Sequence, residues 1–322
     1  MENKHLLILD SSPHGRLTDS TKKIMYTVTL SLIPAIAVAY WFFGWSVIRT
    51  VVLTSLFTVG IEWLIAKMFN DNIDAFDGSA LLTGVLLAMN LPANSPWWML
   101  FIGALVAIVL GKQVFGGLGQ NIFNPALVAR VFLLISFPVA MTSWPEPGAF
   151  SDAVTGATPL GILKTEGVGA ISKLNIMNLA MGDVGGSLGE ISAIALLMGA
   201  LYLFIKKYIT WEIPVLFIGT VFVLTGIFWL VDPTKYASPV FHLFTGGLFL
   251  GALYMATDMV TSPFSFKGKL LFGFGCGFFT VLIRLFGSYP EGVSFAILLM
   301  NAVVPLLDRY FPDKKFGVVK NG

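Results

Sequence analysis

The sequence predicts an all-α polytopic membrane protein of about ten transmembrane segments, and three observations support that prediction. Of the 322 residues, 56% are hydrophobic and only 12% are charged, about half the charged share of a soluble domain. The mean hydropathy is +0.81. Residues 24–45 contain no charged side chain, and a helix that crosses a bilayer needs roughly 20 largely apolar residues.

The apolar runs divide the chain into two membrane halves. Spans are predicted at 24–45, 51–69, 79–91, 96–110, 125–141, 191–205, 213–231, 240–256, 270–286 and 293–307. Some of these runs are shorter than a bilayer is thick, which predicts half-helices or broken helices packed inside the protein. The resulting organisation is a lead at 1–23, a first half at 24–141, a connection at 142–190, a second half at 191–307 and a tail at 308–322.

A weak internal similarity predicts that the two halves are inverted repeats of five helices each. Thr83-Gly84 opens the third span, and Thr245-Gly246 opens the eighth, five spans later. An odd number of spans per repeat inverts the second copy, an arrangement that builds a site near the membrane midplane. Chance similarity between two apolar segments is the alternative explanation.

The distribution of basic residues predicts the orientation in the cell (inner) membrane. Of the 20 lysines and arginines, 14 fall on the side of the N-terminus, and cytoplasmic loops are enriched in these residues. Both termini are therefore expected in the cytoplasm and the 142–190 connection on the outer face. The long polar lead is unlike a signal peptide and is expected to be retained. The net charge of +2 gives no electrostatic footprint for nucleic acid.

The connection contains a distinctive motif, Asp152-Ala153-Val154-Thr155-Gly156-Ala157-Thr158-Pro159-Leu160. Loops of this length inside a compact domain are usually functional or disordered. By composition alone the motif is a turn, in which Gly156 supplies backbone freedom and Thr155 or Thr158 closes a side-chain to backbone hydrogen bond. An acidic residue followed by Thr, Gly, Ala and a final Thr also resembles the flavinylation signature of flavin-carrying redox subunits.

Further motifs along nearly the whole chain resemble one family. They are Ser12-Pro13-His14, Asp77-Gly78-Ser79-Ala80-Leu81-Leu82-Thr83-Gly84, the glycine-rich segment 111–126, Ala256-Thr257-Asp258 and Tyr289-Pro290-Glu291-Gly292-Val293. With the Thr158 motif they are similar to the D subunit of the Rnf complex, an ion-translocating ferredoxin:NAD oxidoreductase. That family is homologous to the B subunit of the sodium-translocating NADH:quinone reductase, and the short lead favours the Rnf member over this alternative.

The resemblance implies that Thr158 carries FMN through a phosphoester made by a separate flavin transferase that uses FAD as donor. Thr158 is then an attachment point and not a catalytic acid or base. Thr155 belongs to the signature, Gly156 and Ala157 add no bulk that blocks the transferase, and Asp152 orients the loop or holds a metal.

The resemblance also implies partner subunits. Electrons would pass between ferredoxin and NAD through flavins and iron–sulfur centres, coupled to export of Na⁺ or H⁺. Cys276 is the one cysteine, too few for an iron–sulfur cluster or a structural zinc site. Such clusters are therefore expected in other Rnf subunits, and a second flavin-bearing subunit is expected among them.

A second, non-covalent flavin is implied by the related quinone-reductase subunit, in which riboflavin is bound. The glycine-rich segment 111–126 is its expected place here, with Asn121 and Asn124 as hydrogen-bonding candidates. The alternative is a glycine-rich connection in which the two asparagines cap helix ends.

Five charged residues within or beside the spans are further candidates, because a charge at the bilayer centre costs about 2.5 to 3.5 kcal/mol on insertion scales. Arg130 and Arg284 are expected to face the flavin phosphate or an acidic partner. Glu62, Asp77 and Asp258 are candidates for a cation path from the cytoplasm. The structural alternatives are that Glu62 reaches the interface at its span end and that Asp258 ends its helix in a turn.

Two other classes of function fit part of the pattern. An inverted repeat with broken helices also suits a secondary transporter or channel without a redox cofactor. A passive membrane anchor fits the hydropathy but needs neither the hydroxyl motif nor the arginines. His242 has no histidine or cysteine at ligand spacing and is expected to be a hydrogen-bonded or interfacial residue, so no metal site is predicted.

Overall fold

A computed structural model describes residues 20–69, 76–145, 148, 155–171, 179, 182 and 185–312, which are mainly helical. Asp152, the Ser12-Pro13-His14 segment and most of the C-terminal tail lie outside the described residues. The apolar core lies between the helices of both membrane halves and is continuous from one half to the other.

Prolines and glycines set several helix ends in the first membrane half. Its described helices are α1 (Thr21–Ser31), α2 (Ile33–Phe43), α3 (Trp45–Phe69), α4 (Ser79–Met89), α5 (Trp97–Leu105), α6 (Pro125–Ser136) and α7 (Pro138–Thr142). α5 continues into a π-helical turn, Val106–Leu110, and a 3₁₀ turn follows at Gln113–Phe115. Pro34 lies in the first turn of α2, where its missing N–H costs nothing, and Gly44 ends that helix at φ +64°.

The connection and the second half follow with shorter and more varied elements. They are β1 (Trp144–Pro145), β2 (Thr155–Gly156), α8 (Pro159–Glu166), α9 (Val168–Ile171), α10 (Ala193–Ile205), α11 (Glu212–Val231), α12 (Pro239–Phe244), α13 (Leu248–Leu250), a π-helical turn (Gly251–Met255), α14 (Phe266–Phe286) and α15 (Val293–Tyr310). β1 and β2, of two residues each, pair antiparallel within the connection that was predicted as a polar loop. Side-chain oxygens of Ser192, Ser238 and Ser265 cap α10, α12 and α14.

The predicted helical membrane architecture is confirmed in its coarse form. Six described stretches are long and apolar enough to cross a membrane: Thr21–Phe43, Trp45–Phe69, Trp97–Phe115, Glu212–Val231, Phe266–Phe286 and Val293–Tyr310. α4, α6 and α10 are shorter apolar helices. All ten predicted runs coincide with helices, whereas the count of ten crossings and the inverted repeat stay predictions.

The eighth apolar run is broken between α12 and α13, at Thr245–Gly247. Gly246 has φ +70°, and a β-carbon there would lie 2.8 Å from both Arg284 Nη2 and a methyl group of Leu160. Only glycine fits this backbone conformation and this space. The break therefore exposes backbone carbonyls to an arginine of α14 and lets α8 pack directly on the membrane domain.

Helices α3 and α4 approach closely because α4 presents a glycine to α3. A β-carbon on Gly84 would lie 2.4 Å from Thr58 Oγ1 and 2.8 Å from Ser55 Cα. Helix association in membranes depends on such packing, since lipid is as apolar as the side chains. This contact positions Asn90, the residue that follows α4.

We expect Gly84→Ala to destabilise the protein, because the added methyl group must displace Thr58 or the α3 backbone. Overpacking of this kind costs about 1–3 kcal/mol. Gly60→Ala on α3 is the matched control, since nothing lies within 4 Å of its β-carbon position. Thermal unfolding in detergent should show a lower melting temperature for Gly84→Ala alone, and equal melting temperatures for the two variants would contradict the close approach.

Candidate functional site

Thr158 lies at the start of α8 with its side chain only 6% exposed. Its Oγ1 accepts a hydrogen bond from the Gly161 N–H at 3.1 Å, the local bond that the turn interpretation predicted. Pro159 follows at the first helical position. Just before the threonine, Gly156 of β2 pairs with Trp144 of β1, so the backbone is held on both sides of the hydroxyl.

Helix α8 docks on the second membrane half through apolar and polar contacts. Leu160 packs in a small apolar cluster with Ile171 and Phe241. Lys164 Nζ donates to the Tyr289 carbonyl at 2.8 Å and to the Gly287 carbonyl, in the loop between α14 and α15. Partial burial lowers the pKa of the Lys164 ammonium. The helix that begins at Thr158 is thus fixed to the outer-face loop predicted between the last two spans.

Arg130 lies at the centre of a buried polar cluster beneath α8. Its Nη1 donates to Asn90 Oδ1 at 3.1 Å and to Ser294 Oγ at 2.8 Å, and its Nη2 forms an ion pair with Glu291 Oε2. The acidic partner expected for this arginine is therefore a glutamate of the same chain. The three contacts join α6 to the end of α4 and to the start of α15.

Glu190 completes this cluster from the end of the connection. Its Oε1 accepts from Ser187 Oγ at 2.7 Å, and its carboxyl lies beside the Glu291 carboxyl. Burial and the Glu291 charge raise the pKa of Glu190 well above its ordinary value of 4.5. Burial alone would raise the pKa of Glu291 too, but Arg130 and the bond with Glu190 hold it below that value.

One shared proton explains the geometry of the two glutamates. Glu291 Oε1 is buried without a hydrogen-bond donor when both carboxyls are ionised, because a carboxylate only accepts. A proton on Glu190 supplies that donor, while Glu291 stays ionised opposite Arg130. We infer that the two carboxyls share one proton, and Arg284 is the second cation that acts on both of them.

Among the described residues, Arg284 forms no direct bond to an acidic side chain. Its Nη1 donates to the His242 carbonyl at 2.6 Å and its Nη2 to the Thr245 carbonyl at 2.9 Å, at the break between α12 and α13. Arg284 Nε and both ring nitrogens of His242 are buried without a partner among the described residues. His242 was expected to be hydrogen-bonded or interfacial: it is hydrogen-bonded through its carbonyl, not through its ring, and at 1% exposure it is buried.

Asn124 links the two membrane halves at the predicted cytoplasmic end. Its Oδ1 accepts from the Ala126 N–H at 3.1 Å and so caps α6, as the structural alternative predicted. Its Nδ2 donates to the Met255 carbonyl at 3.3 Å, and its backbone N–H donates to Asn301 Oδ1 at 3.3 Å. Asn121 does not cap a helix; its Nδ2 donates to the Phe123 carbonyl.

A cavity between the halves lies beside these asparagines, but it does not fit an enclosed riboflavin. Its volume is about 80 Å³, and Asn121, Asn124, Lys112 and Asp258 are among its lining residues. Pockets that enclose a ligand of that size measure about 300–1,000 Å³. Asn121 Oδ1 is a buried acceptor without a donor, which is the one feature that favours a ligand there.

Glu62 and Lys112 form a buried ion pair at 2.6 Å. Lys112 Nζ also donates to Ser79 Oγ at 2.6 Å, and Ser79 Oγ donates to Asp77 Oδ1 at 2.5 Å. The structural alternative for Glu62 was wrong in its detail: the carboxylate does not reach the interface near Lys67. Lys112, counted as a loop charge in the topology argument, is 2% exposed.

The three residues proposed for a cation path are thus only partly brought together. Glu62 and Asp77 meet through Lys112 and Ser79, while Asp258 lies across the cavity. Asp258 Oδ2 accepts from Thr261 Oγ1 at 3.1 Å in the turn before α14, in agreement with the turn interpretation.

Comparison with known proteins identifies the family. The family model described as NQR2, RnfD, RnfE matches residues 8–317. The chain belongs to this NQR2, RnfD, RnfE family. The resemblance to the D subunit of the Rnf complex, which the motifs predicted, is thereby confirmed.

Relatives within this family are similar to the chain over nearly its full length. The D subunit of the proton-translocating ferredoxin:NAD(+) oxidoreductase complex of Clostridium ljungdahlii is 46% identical over 98% of this chain and 97% of that protein. The D subunit of the Na(+)-translocating ferredoxin:NAD(+) oxidoreductase complex of Acetobacterium woodii is 44% identical over 99% and 98%. The D subunit of the ion-translocating oxidoreductase complex of Stutzerimonas stutzeri is 42% identical over 94% and 93%.

Sequence reasoning did not single out Glu190 and Glu291 as site residues. Glu291 stands inside a motif that carried the family resemblance, and Arg130 needed an acidic partner, so these two signals together could have found it. The sequence carries no such signal for Glu190. Its carboxyl is placed beside Glu291 by backbone hydrogen bonds, in which the Leu188 and Gly189 N–H groups donate to carbonyls at the end of α4.

We expect Lys112→Met to destabilise the protein by about 3–5 kcal/mol, because it leaves the Glu62 carboxylate buried without its cation. The double variant Glu62→Gln/Lys112→Met should recover most of this loss. Lys67→Met is the control, since that lysine lies over the exposed Trp63 ring. Thermal unfolding in detergent measures all four proteins, and an unrecovered double variant would contradict the pair.

The shared proton predicts different effects on stability when each of the two glutamates is replaced by glutamine. Glu190→Gln mimics the protonated acid and donates to Glu291, so its melting temperature should stay close to that of the unsubstituted protein at pH 7. Glu291→Gln leaves Arg130 uncompensated and should cost about 3–5 kcal/mol. Glu166→Gln, on the exposed side of α8, is the neutral control.

The pH dependence of stability checks the same assignment. The pKa of Glu190 is raised on folding above 4.5, so the stability from its bound proton is complete below that value and is lost as pH rises through the folded pKa. The melting temperature should therefore fall on the alkaline side in the unsubstituted protein, and less so in Glu190→Gln. Equal losses for Glu190→Gln and Glu291→Gln at pH 7 would exclude the shared proton.

Proposed function

We propose that this chain is the D-type membrane subunit of an ion-translocating ferredoxin:NAD oxidoreductase complex and that it carries FMN on Thr158. The names of its relatives support the complex. The observation that carries the flavin is the position of Thr158, a hydroxyl at a helix N-terminus that docks on a cationic region of the outer face. The chain acts as one part of the oxidoreductase, with its other redox centres in partner subunits.

The attachment chemistry fits the residues at this position. The Thr158 oxygen would attack the FMN phosphorus of FAD, the bond from that phosphorus to the AMP oxygen breaks, AMP leaves, and the hydroxyl proton passes to a base of the transferase. The product is a phosphodiester with one negative charge. Its ester oxygen keeps a lone pair that can accept the Gly161 N–H.

The surroundings of Thr158 favour a bound phosphate. The N-terminus of α8 is the positive end of its helix dipole. Pro159 has no N–H, and the Gly161 and Ile162 N–H groups already bond to Thr158, so the dipole supplies the attraction for a phosphate. Lys164 lies on the same helix, and Leu160 packs against Gly246 beside the Arg284 guanidinium. The flavin would supply the electron transfer, and the chain would fix its position and tune its potential through hydrogen bonds and nearby charge.

Thr158 is buried and bonded to its own helix in the described fold. A transferase therefore needs the start of α8 to open, or it acts before α8 docks. Gly156 and Ala157 place little side-chain volume beside the hydroxyl, and Ala157 is exposed. These two features leave the segment accessible once the cap is released.

The coupling ion is left open by the comparisons. One relative is named for proton translocation and another for Na⁺ translocation, at 46% and 44% identity. Both arrangements are therefore compatible with this scaffold. The proposed partners are the other Rnf subunits, which include a second flavin-bearing subunit and iron–sulfur subunits, together with the flavin transferase during maturation.

We expect the chain, produced together with a flavin transferase, to run as a fluorescent band on a denaturing gel under ultraviolet light. Thr158→Ala should be dark, because no other hydroxyl of the motif is held at the helix start. Thr165→Ala is the matched control, as an exposed threonine on the same helix, and should stay fluorescent. Peptide mass spectrometry should place an FMN-sized increment on the Thr158 peptide.

A dark band from the unsubstituted protein would overturn the flavin assignment. The broken eighth run and the cavity between the halves would then favour a secondary transporter without a redox cofactor. A fluorescent band in Thr158→Ala would instead show that the flavin is attached to another residue.

A further inference from the structure

A cavity of about 180 Å³ opens beside α8 on the predicted outer side of the second membrane half. One part of its wall is apolar and includes Leu160, Leu163 and Pro290. Another part carries positive charge or hydrogen-bonding groups and includes Lys235, His242 and Arg284. None of the described residues that line it carries a carboxylate. A ligand for this cavity therefore combines an apolar surface with acceptor atoms.

Unpartnered polar atoms in the wall indicate such a ligand. Arg284 is 6% exposed and His242 is 1% exposed. The Nη atoms of Arg284 are bonded to carbonyls, whereas its Nε and both ring nitrogens of His242 have no partner among the described residues. A buried donor without a partner is unfavourable, so an acceptor that reaches these enclosed groups from the cavity would be stabilised by them.

The buried Glu190 and Glu291 carboxyls compensate Arg284 in part, whereas Lys235 at the rim of the cavity is only weakly compensated. Lys235 is exposed and its Nζ lies 5.4 Å from the centre of the Tyr236 ring. Asp232 is the nearest acidic residue along the chain, and its carboxylate accepts two bonds from Thr234 in its own turn. Lys164 adds a second exposed cation to the rim. Negative charge in the cavity would thus be favoured.

We propose that this cavity binds the pyrimidine end of the isoalloxazine ring of the FMN on Thr158, with Arg284 and His242 as hydrogen-bond donors and Lys235 as a nearby positive charge. The inference rests on the proposed attachment at Thr158. The pyrimidine end carries two carbonyl oxygens, one acceptor nitrogen and one N–H donor, and it is flat enough to lie against Leu160 and Leu163.

The length of the FMN tether and the volume of the cavity agree with this placement. Leu160 and Leu163 lie two and five residues after Thr158, so the cavity begins within about one helical turn, ~5.4 Å, of the attachment point. A ribityl chain of five carbons with its phosphate spans more than that distance. The volume is smaller than the about 300–1,000 Å³ of pockets that enclose a whole ligand, so one end of the ring enters while the dimethylbenzene end stays outside.

A small inorganic anion would explain the cationic wall but not the apolar one. A lipid phosphate would place its acyl chains towards the bilayer and leave Leu160 and Leu163 uncovered. The ring of a tethered flavin meets both parts of the wall. Cations beside it would also raise its reduction potential, because they stabilise the negative charge gained on reduction.

The test uses the complete flavinylated protein and three readouts: fluorescence anisotropy, visible circular dichroism and the midpoint potential of the attached flavin. The proteolytic peptide that contains flavinylated Thr158 is the standard for a free ring. His242→Phe removes the donors but keeps an aromatic ring, and Lys235→Glu reverses the charge. Lys206→Glu is the matched control, because Lys206 also lies over a tyrosine ring, Tyr202, at 5.8 Å, far along the chain from α8.

We expect the unsubstituted protein to show high anisotropy and an induced circular dichroism band that the peptide lacks. Lys235→Glu should lower the midpoint potential, and His242→Phe should move the anisotropy towards the peptide value, while Lys206→Glu changes neither. A peptide-like ring in the unsubstituted protein, or equal potentials in Lys235→Glu and Lys206→Glu, would overturn the cavity assignment. A dark band on the denaturing gel would overturn the attachment itself, so the two failures are distinguishable.

Discussion

The buried guanidinium of Arg130 is the constraint on which the outer part of this protein depends. An uncompensated charge among apolar helices is costly, so the chain must bring acceptors to it from separate elements. Asn90 comes from the end of α4, Ser294 from α15, and Glu291 from the loop before α15. Satisfying one side chain therefore fixes how the first membrane half meets the second.

Hydrogen bonds and packing contacts connect the Arg130 cluster to α8, the helix that follows Thr158. Glu190 approaches Glu291 only because the segment before α10 is bonded to the end of α4, and a β-carbon on Gly189 would lie 2.9 Å from the Met89 carbonyl. Lys164 bonds the loop that carries Glu291, and Gly246 lets Leu160 sit beside Arg284. Polar networks in a low-dielectric interior are stable only when each member is satisfied, which makes the position of α8 a consequence of the buried charges below it.

At the predicted cytoplasmic end, a second buried cation, Lys112, is compensated by a separate set of contacts. Lys112 pairs with Glu62 and bonds Ser79, while Asn124 and Asn301 connect the turn before α6 to α15. These contacts hold the glycine-rich segment between the halves without a ligand. These contacts give the segment, where a second flavin was expected, a structural role, and the unpartnered Asn121 oxygen is the exception among its described residues.

Hydropathy and motifs determined the membrane class, the positions of the ten apolar runs and the family, because these properties depend on residues close together in the chain. They also singled out Thr158, the hydroxyl proposed for attachment. The capping role of Asn124 and the local bond of Thr158 were also accessible, since both act within three residues. The partners of Arg130, Glu62 and Lys112 were not, and neither was the Glu190–Glu291 pair. These pairings join residues 33 to 164 positions apart, and only helix packing decides which charge is buried and which opposite group can reach it.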